Sequence, residues 1–338
     1  MNKKIFYIGG FAPPYGGVTI KNKVLFNELT KYLNIDNFNT SKLKKSIWNK
    51  VKLMIFLLKN KGQKGVICVS SYSLFKLTRI ITMYDSRWLG QISVFAVGGR
   101  LHELIHEYHI DISRLNKYKN IYVECEGMKS KLKAMGMNNV DVIPNLRNMP
   151  GKRQYKSINN KKLKALFLSR ICKEKGVEEI ISAAKLLDKK KVEYKIDFYG
   201  PIDSIIEKKF NKHIEANEKL SYKGLVNSSN EDIYDLIKEY DVILFPTKHN
   251  GEGFPGIFAE AKIAGVPIIA SNWNYNSDII NNLKDGIILK NNTAEELSNA
   301  IQELANDNKL REELRKNSFA SGEKYFVGNY IQNIINNM

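Results

Sequence analysis

Two series of short apolar runs, separated by stretches of helical periodicity, constrain this 338-residue chain more than anything else in it. The first series lies at 5–8, 66–70, 92–97, 121–125 and 140–144. The second lies at 164–169, 194–199, 220–223, 242–245, 266–270 and 286–289. Short apolar runs bounded by turn signals read as strands buried on both faces. Strands that alternate with helices require a parallel sheet covered on both sides. Helical patterns fill the gaps, among them 18–33, 177–187 and 294–305. Between the series, 148–162 is polar, contains Pro150-Gly151 and reads as a linker. The predicted fold class is α/β, with two doubly wound parallel-sheet domains.

Charge divides the chain unevenly. Residues 1–150 carry 24 Lys and Arg against 9 Asp and Glu, and the remainder 29 against 26. The first half is therefore expected to face an anionic partner, nucleic acid or anionic lipid. Cys68, Cys125 and Cys172 lie far apart with no disulfide or metal spacing, which predicts a reducing cytoplasm. The N-terminus enters a strand at once, at 5–8, so no signal region is expected, and no apolar run approaches the roughly 20 residues of a membrane span.

Within the second series, Glu252-Gly253-Phe254-Pro255-Gly256 opens a stretch of small apolar residues that closes at Gly265. Pro255 suits the first turn of a helix, where a missing N–H costs nothing. Gly265 suits the helix end, and Val266 opens a strand. Glu252 is then on the loop before the helix, and Glu260 a little over one turn inside it. The free N–H groups and positive dipole end between them suit a phosphate. Both carboxylates can accept hydrogen bonds from sugar and ribose hydroxyls. This pattern predicts a sugar-nucleotide pocket. Arg170 falls just past a strand end, where open parallel sheets bind ligands. It offers two phosphates a planar fork, and Lys175 a point charge. Near the start, 9–18 joins the first strand to the first helix. There Gly16-Gly17 allows close backbone approach to a ligand, without the G-x-G-x-x-G spacing of a dinucleotide site.

These residues resemble the E-x7-E signature of retaining family 4 glycosyltransferases. Phe245-Pro246-Thr247, Glu252 to Gly256, Glu260-Ala261, Ala264-Gly265-Val266-Pro267 and Ser271-Asn272-Trp273-Asn274-Tyr275-Asn276 are similar to members that build bacterial capsules, exopolysaccharides and lipopolysaccharides. The resemblance covers most of the second half and is weaker in the first. It implies the GT-B fold, two Rossmann-like domains facing a cleft. The first, 1–148, would serve the acceptor and membrane side and be joined by a C-terminal helix at 321–338. The second, 160–320, would hold the donor. The implied reaction moves a sugar from a nucleoside-diphosphate sugar, a UDP-sugar, to a lipid-linked saccharide with retention. It implies no cofactor and no metal, and no Asp-x-Asp diphosphate–metal motif is present.

The resemblance also assigns roles. Glu252 and its turn, with the N–H groups of Gly253, Phe254 and Gly256, would hold the sugar. Glu260 would hold the ribose. Arg170 and Lys175 would neutralise charge growing on the leaving diphosphate. Gly16 and Gly17 would face donor and acceptor. Where many relatives carry a histidine after the fourth strand, this chain has Val97-Gly98-Gly99-Arg100-Leu101-His102. Gly98, Gly99 and His102 are therefore further candidates for the donor sugar. Pro255 and the insert 248–251 also depart from the family pattern.

Two alternatives stay open: a GT-B-like nucleotide-sugar isomerase or epimerase, and a nucleic-acid-binding α/β protein. Against the second, the basic residues cluster with aliphatics rather than an aromatic stacking platform, so no nucleic-acid partner is expected. Residues 42–61 hold seven lysines and no acid. Leu43, Ile47, Val51, Met54 and Leu58 recur at helical spacing, with Trp48 and Ile55 widening the face. This stretch predicts attachment to an anionic membrane surface, peripheral on the inner face of the plasma membrane, where a lipid-linked acceptor waits.

Overall fold

A computed structural model describes residues 4–11, 16–158, 160–226 and 230–338. The chain forms two compact units. The first comprises Met1–Met149, Gly251–Pro255 and Tyr325–Met338, and the second Pro150–Asn250 and Gly256–Lys324.

The first unit holds a six-stranded parallel sheet of β1 (Lys4–Gly9), β2 (Asn34–Asn39), β3 (Gly65–Ser70), β4 (Ile92–Val97), β5 (Asn120–Val123) and β6 (Val140–Val142). Their order is β2-β1-β3-β4-β5-β6, so the winding reverses between β1 and β3. Both faces of β1 are buried. Ile5 and Tyr7 pack with Leu25 of the helix Gly17–Leu29 and with Ile331 and Ile334 of the helix Gly328–Asn336. Phe6, on the opposite face, meets Trp88 and Phe56, with ring centroids at 5.4 and 6.3 Å. One strand, β2, is absent from the apolar series. Its sequence NIDNFN is polar because it sits at the sheet edge and is largely unburied.

The second unit holds β7 (Leu163–Leu168), β8 (Tyr194–Tyr199), β9 (Leu220–Tyr222), β10 (Val242–Phe245), β11 (Ile268–Ser271) and β12 (Gly286–Leu289), again all parallel. The order β12-β11-β10-β7-β8-β9 reverses between β7 and β10. Its core joins Ala165 and Phe167 of β7 to Ile180, Ala184 and Leu187 of the helix Val177–Lys189. Leu297, Ile301 and Leu304 of the helix Ala294–Asn306 complete it.

The polar segment that reads as a linker is not a free tether. Arg153 lies over the Phe319 ring at 3.8 Å, and the Lys156 carbonyl accepts from Arg315 at 3.2 Å. Asn160 donates to Asp241 at 2.9 Å. The tail is helical at Gly328–Asn336, preceded by a 3-10 turn at Gly322–Tyr325.

The lysine-rich stretch forms the helix Ile47–Lys59, but the face that packs on the domain is Leu53, Phe56 and Leu57. Most of the predicted stripe faces outward, with Ile47, Trp48, Val51, Ile55 and Leu58 42–72% exposed; Leu43 and Met54 are partly buried, and the Met54 sulfur accepts from Tyr84 at 3.7 Å. The helix is apolar on two sides, and the lysines Lys50, Lys52 and Lys59 are exposed among the outward residues.

Candidate active site

In each unit the sheet's winding reverses next to loops that the sequence singles out, and such reversal points are where open α/β sheets leave a crevice for ligands. In the second unit the loop after β7 carries Arg170, exposed, one residue before a bridge between Ile171 and Ile202. The 3-10 turn Lys173–Lys175 follows and leads into the helix Val177–Lys189. Lys175 is 8% exposed, with its ammonium 5.6 Å from the ring centre of Phe245, the last residue of β10. Burial and the nearby charge of Arg170 pull its pKa down to about 8, against a small opposing effect of Cys172. Two cations are thus gathered beside the reversal point, where an anion would relieve the cost of holding them there.

The helix that carries the second glutamate runs Gly256–Ala264, with Pro255 immediately ahead of its first residue. No acidic side chain occupies its first turn, which leaves the dipole's positive end open to an external anion. Ile257 to Ala259 and Ala261 to Ala264 are all buried, whereas Glu260 keeps partial exposure. Gly265, at φ 76°, closes the helix. The N–H groups of Gly265 and Val266 bond to Lys262 and Ala261 in the two-bond pattern of a Schellman cap.

That helix is anchored by a feature that the sequence reading misses. The Lys262 ammonium meets the Asp285 carboxylate at 2.6 Å, with the two side chains 0% and 2% exposed. Asp285 also accepts from the backbone and side chain of Asn281, at 2.9 and 3.1 Å. Burial, the largest influence, takes the Lys262 pKa down to about 8 even with Asp285 beside it.

Glu252 and Gly253 belong to the first unit, with the turn that follows β4. The Gly99 N–H donates to the Gly251 carbonyl at 3.5 Å, and a side chain at Gly99 would collide with the Glu252 carbonyl. Glycine is thus required there by close approach of two backbones. The Gly98 N–H donates to Glu124 at 3.3 Å, and Glu124 pairs with Lys21 at 2.9 Å, both side chains at most 2% exposed. This buried pair, also unforeseen from sequence, fixes the Gly98-Gly99 turn. Phe254 is buried against Tyr325, ring centres 5.3 Å apart, and its carbonyl accepts from Asn145 at 2.9 Å.

His102 sits on the helix Leu101–Glu107, partly buried, 3.9 Å from Glu103. Burial first and Lys131 second hold its pKa below the usual imidazole value, against Glu103 and the Gly99 backbone. Gly16 directly precedes the helix Gly17–Leu29, and its N–H donates to Thr19 at 3.0 Å. Residues 12–15 of the same loop lie outside the described residues. Among the described residues, no group of three or more His, Cys, Asp and Glu is placed to hold a metal ion.

Two parallel six-stranded Rossmann-like sheets, with two cations beside a reversal point of the second, define a doubly wound α/β class whose crevice suits an anion. The family model for glycosyl transferases group 1 matches residues 149–320, and the chain belongs to that family. Over 174 residues it is 31% identical to an N,N'-diacetylbacillosaminyl-diphospho-undecaprenol alpha-1,3-N-acetylgalactosaminyltransferase of Campylobacter jejuni, covering 51% of this chain and 43% of that one. It is 27% identical over 172 residues to the capsular polysaccharide biosynthesis glycosyltransferase CapM of Staphylococcus aureus, covering 49% and 42%. The chain thus spans less than half the length of these curated relatives. Among solved structures, the lipopolysaccharide outer core galactosyltransferase WaaB superposes with a TM-score of 0.71 at 17% identity, covering 99% and 98% of the two chains. Anabaena HepE, solved with UDP and glucose, gives 0.70 at 14% identity over 99% and 98%. At such identities the likeness concerns the fold, which is GT-B.

Proposed function

We propose that this chain transfers a glycosyl group from a UDP-sugar to a lipid-linked saccharide during synthesis of a bacterial surface polysaccharide, with retention at the anomeric carbon. The observation that carries the reading is the placement of Arg170 and Lys175 at the reversal between β7 and β10, in the unit that also holds the Gly256–Ala264 helix and Glu260. The Campylobacter relative is named for a diphospho-undecaprenol acceptor, and HepE was solved with UDP; both support the choice of substrates.

The bond from the anomeric carbon to the diphosphate breaks, and a bond to the acceptor oxygen forms on the same face. The acceptor proton passes to the departing phosphate oxygen, so the products are a glycoside and a nucleoside diphosphate. Arg170 and Lys175 stabilise the charge on the leaving group, which makes a metal ion unnecessary in this scheme. Glu260, in the same unit, holds the ribose.

Thermal shift against UDP- and GDP-sugars tests the reading. A ligand at 100 times its dissociation constant should stabilise the protein by about 2.7 kcal/mol. No shift with any nucleotide sugar, UDP or GDP would remove the proposal.

In the same reading, the outward face of the helix Ile47–Lys59 seats on an anionic bilayer at the inner face of the plasma membrane. Its five exposed apolar residues are too few to span a bilayer but suit shallow burial, and the lysines match anionic headgroups. Among the described residues no helix is long and apolar enough to cross a membrane. Liposome co-sedimentation should show binding that needs anionic lipid and weakens with salt. It should drop at least tenfold when Trp48 and Ile55 become serine and Lys50 and Lys52 become glutamate, since each lysine contributes on the order of 1 kcal/mol. Equal binding by the quadruple variant would exclude this surface.

A further inference from the structure

We propose that His249 is a third binding residue for the donor diphosphate, beside Arg170 and Lys175; the assignment rests on the nucleotide-sugar reading above. His249 belongs to the insert that lengthens the loop after β10. That loop is stitched to the loop after β7. The Lys248 N–H donates to the Glu174 carbonyl at 2.8 Å, and the Thr247 hydroxyl to the same carbonyl at 3.2 Å. A side chain at Gly176 would strike the Pro246 carbonyl, so the two loops lie in contact.

The main chain of His249 is held from its other side as well. Its N–H donates to the Thr247 hydroxyl at 3.2 Å, and its carbonyl accepts from the Trp273 indole at 3.1 Å and from Asn274 at 3.4 Å. Asn274 also donates to the Asn250 carbonyl at 3.1 Å, and Ser271, at the end of β11, to the Thr247 carbonyl at 2.6 Å. The loops after β7 and β11 are thus both tied to the short segment 246–250 that carries His249, a degree of support expected of a binding group rather than a surface connection.

The imidazole is partly buried and lies in the fields of Lys175, Arg170 and Glu174; Lys248, next in the chain, is engaged by Glu179 at 2.7 Å. Burial, then Lys175 and Arg170, hold its pKa below the usual imidazole value, and Glu174 opposes them. In the ligand-free protein the ring is therefore mostly neutral near pH 7. A bound diphosphate reverses that balance, because its charge outweighs the repulsion of the two cations. His249 then takes up a proton and becomes a third charged donor.

The linkage has a definite sign. A group whose pKa rises on binding strengthens binding as pH falls, from the bound-state pKa down to the lower free-state pKa. Lys175, at about 8, acts in a separate and higher window: affinity weakens as it loses its proton above that pH.

The test is calorimetric titration of the full chain with UDP and with GDP between pH 5.5 and 9, in buffers of differing ionisation enthalpy. Wild type is compared with His249→Gln and, as a second substitution, His249→Asn. Near pH 5.5 the wild type should take up more protons than either variant and bind the nucleotide several-fold more tightly, towards the limit of about tenfold that one pKa unit of coupling sets. By pH 8 the difference should close to within about threefold, since the imidazole is neutral in both states. Titration of the nucleotide's own phosphate is common to all three proteins and cancels. Equal affinity and equal proton uptake at every pH would overturn the role of His249 while leaving the nucleotide reading intact. Failure of the wild type to bind either nucleotide would overturn both.

Discussion

Asp285→Ala is expected to destabilise the second unit by about 3–5 kcal/mol, the cost of leaving a buried charge without its partner. Lys262 is fully enclosed, and Asp285 accepts its ammonium at 2.6 Å while also holding two donors of Asn281. Removing the carboxylate leaves the enclosed ammonium only a long contact to the Ser321 hydroxyl, at 3.4 Å, and takes the acceptor from Asn281. For a unit of this size, each kcal/mol moves the melting temperature by roughly 2–4 °C, so a fall on the order of 10 °C should be seen by calorimetry. The paired replacement Lys262→Met with Asp285→Leu should recover most of the loss, because apolar residues of similar volume avoid the desolvation of two ions. A single variant that melts within a degree or two of wild type would show that the pair anchors nothing. Since Lys262 is two residues beyond Glu260 on the same helix, partial loosening should also weaken donor binding before the unit unfolds.

Arg170→Ala and Glu260→Ala should separate the chemical step from donor binding. Arg170 is exposed beside a reversal point, and in the proposed reaction it would meet charge that grows as the leaving group departs. Loss of one such donor costs about 10²–10³ in kcat in other enzymes, and a similar loss is expected here with a smaller change in donor KM. In the same proposal Glu260 would meet hydroxyls that do not change charge during the reaction. Its loss should raise the donor dissociation constant about ten- to a hundredfold, the worth of a hydrogen bond to a charged group. Steady-state kinetics with any donor identified by thermal shift would read both effects. Wild-type kcat in Arg170→Ala together with wild-type donor affinity in Glu260→Ala would end the assignment of this site.

Much of the scaffold was legible because the physics behind it is local. Apolar runs bounded by turns gave all six strands of the second sheet to within a few residues, and Gly265 ends its helix as its freedom at positive φ implies. Arg170 and Lys175 fall where the alternation of strand and helix puts them. What escaped was either polar or distant in sequence. The strand β2 has a polar sequence because an edge strand has little to bury. Lys21 and Glu124 are 103 residues apart, and no periodicity links a lysine on a helix to a glutamate after a strand. The helix Ile47–Lys59 showed its outward apolar face in the sequence but not the face that packs on the domain. Its apolar residues surround the axis, so spacing alone selected Ile47, Val51 and Leu58, while Leu53, Phe56 and Leu57 are the ones that pack. His249 carried no sequence signal beyond its place in an insert.

The five residues Gly251–Pro255 bear on how this chain can be recombined. Chain on both sides of them belongs to the second unit, yet they pack with the first, against Gly99 and Asn145. A hybrid that takes residues 150–324 from this chain and its opening half from a relative would import Glu252 but not its seat. If the relative bears a side chain where Gly99 stands, the collision with the Glu252 carbonyl would displace the loop. Under the proposed function, donor preference in such hybrids should follow the origin of the Gly98-Gly99 turn as well as that of the second unit, so productive grafts need to exchange the two segments as one module.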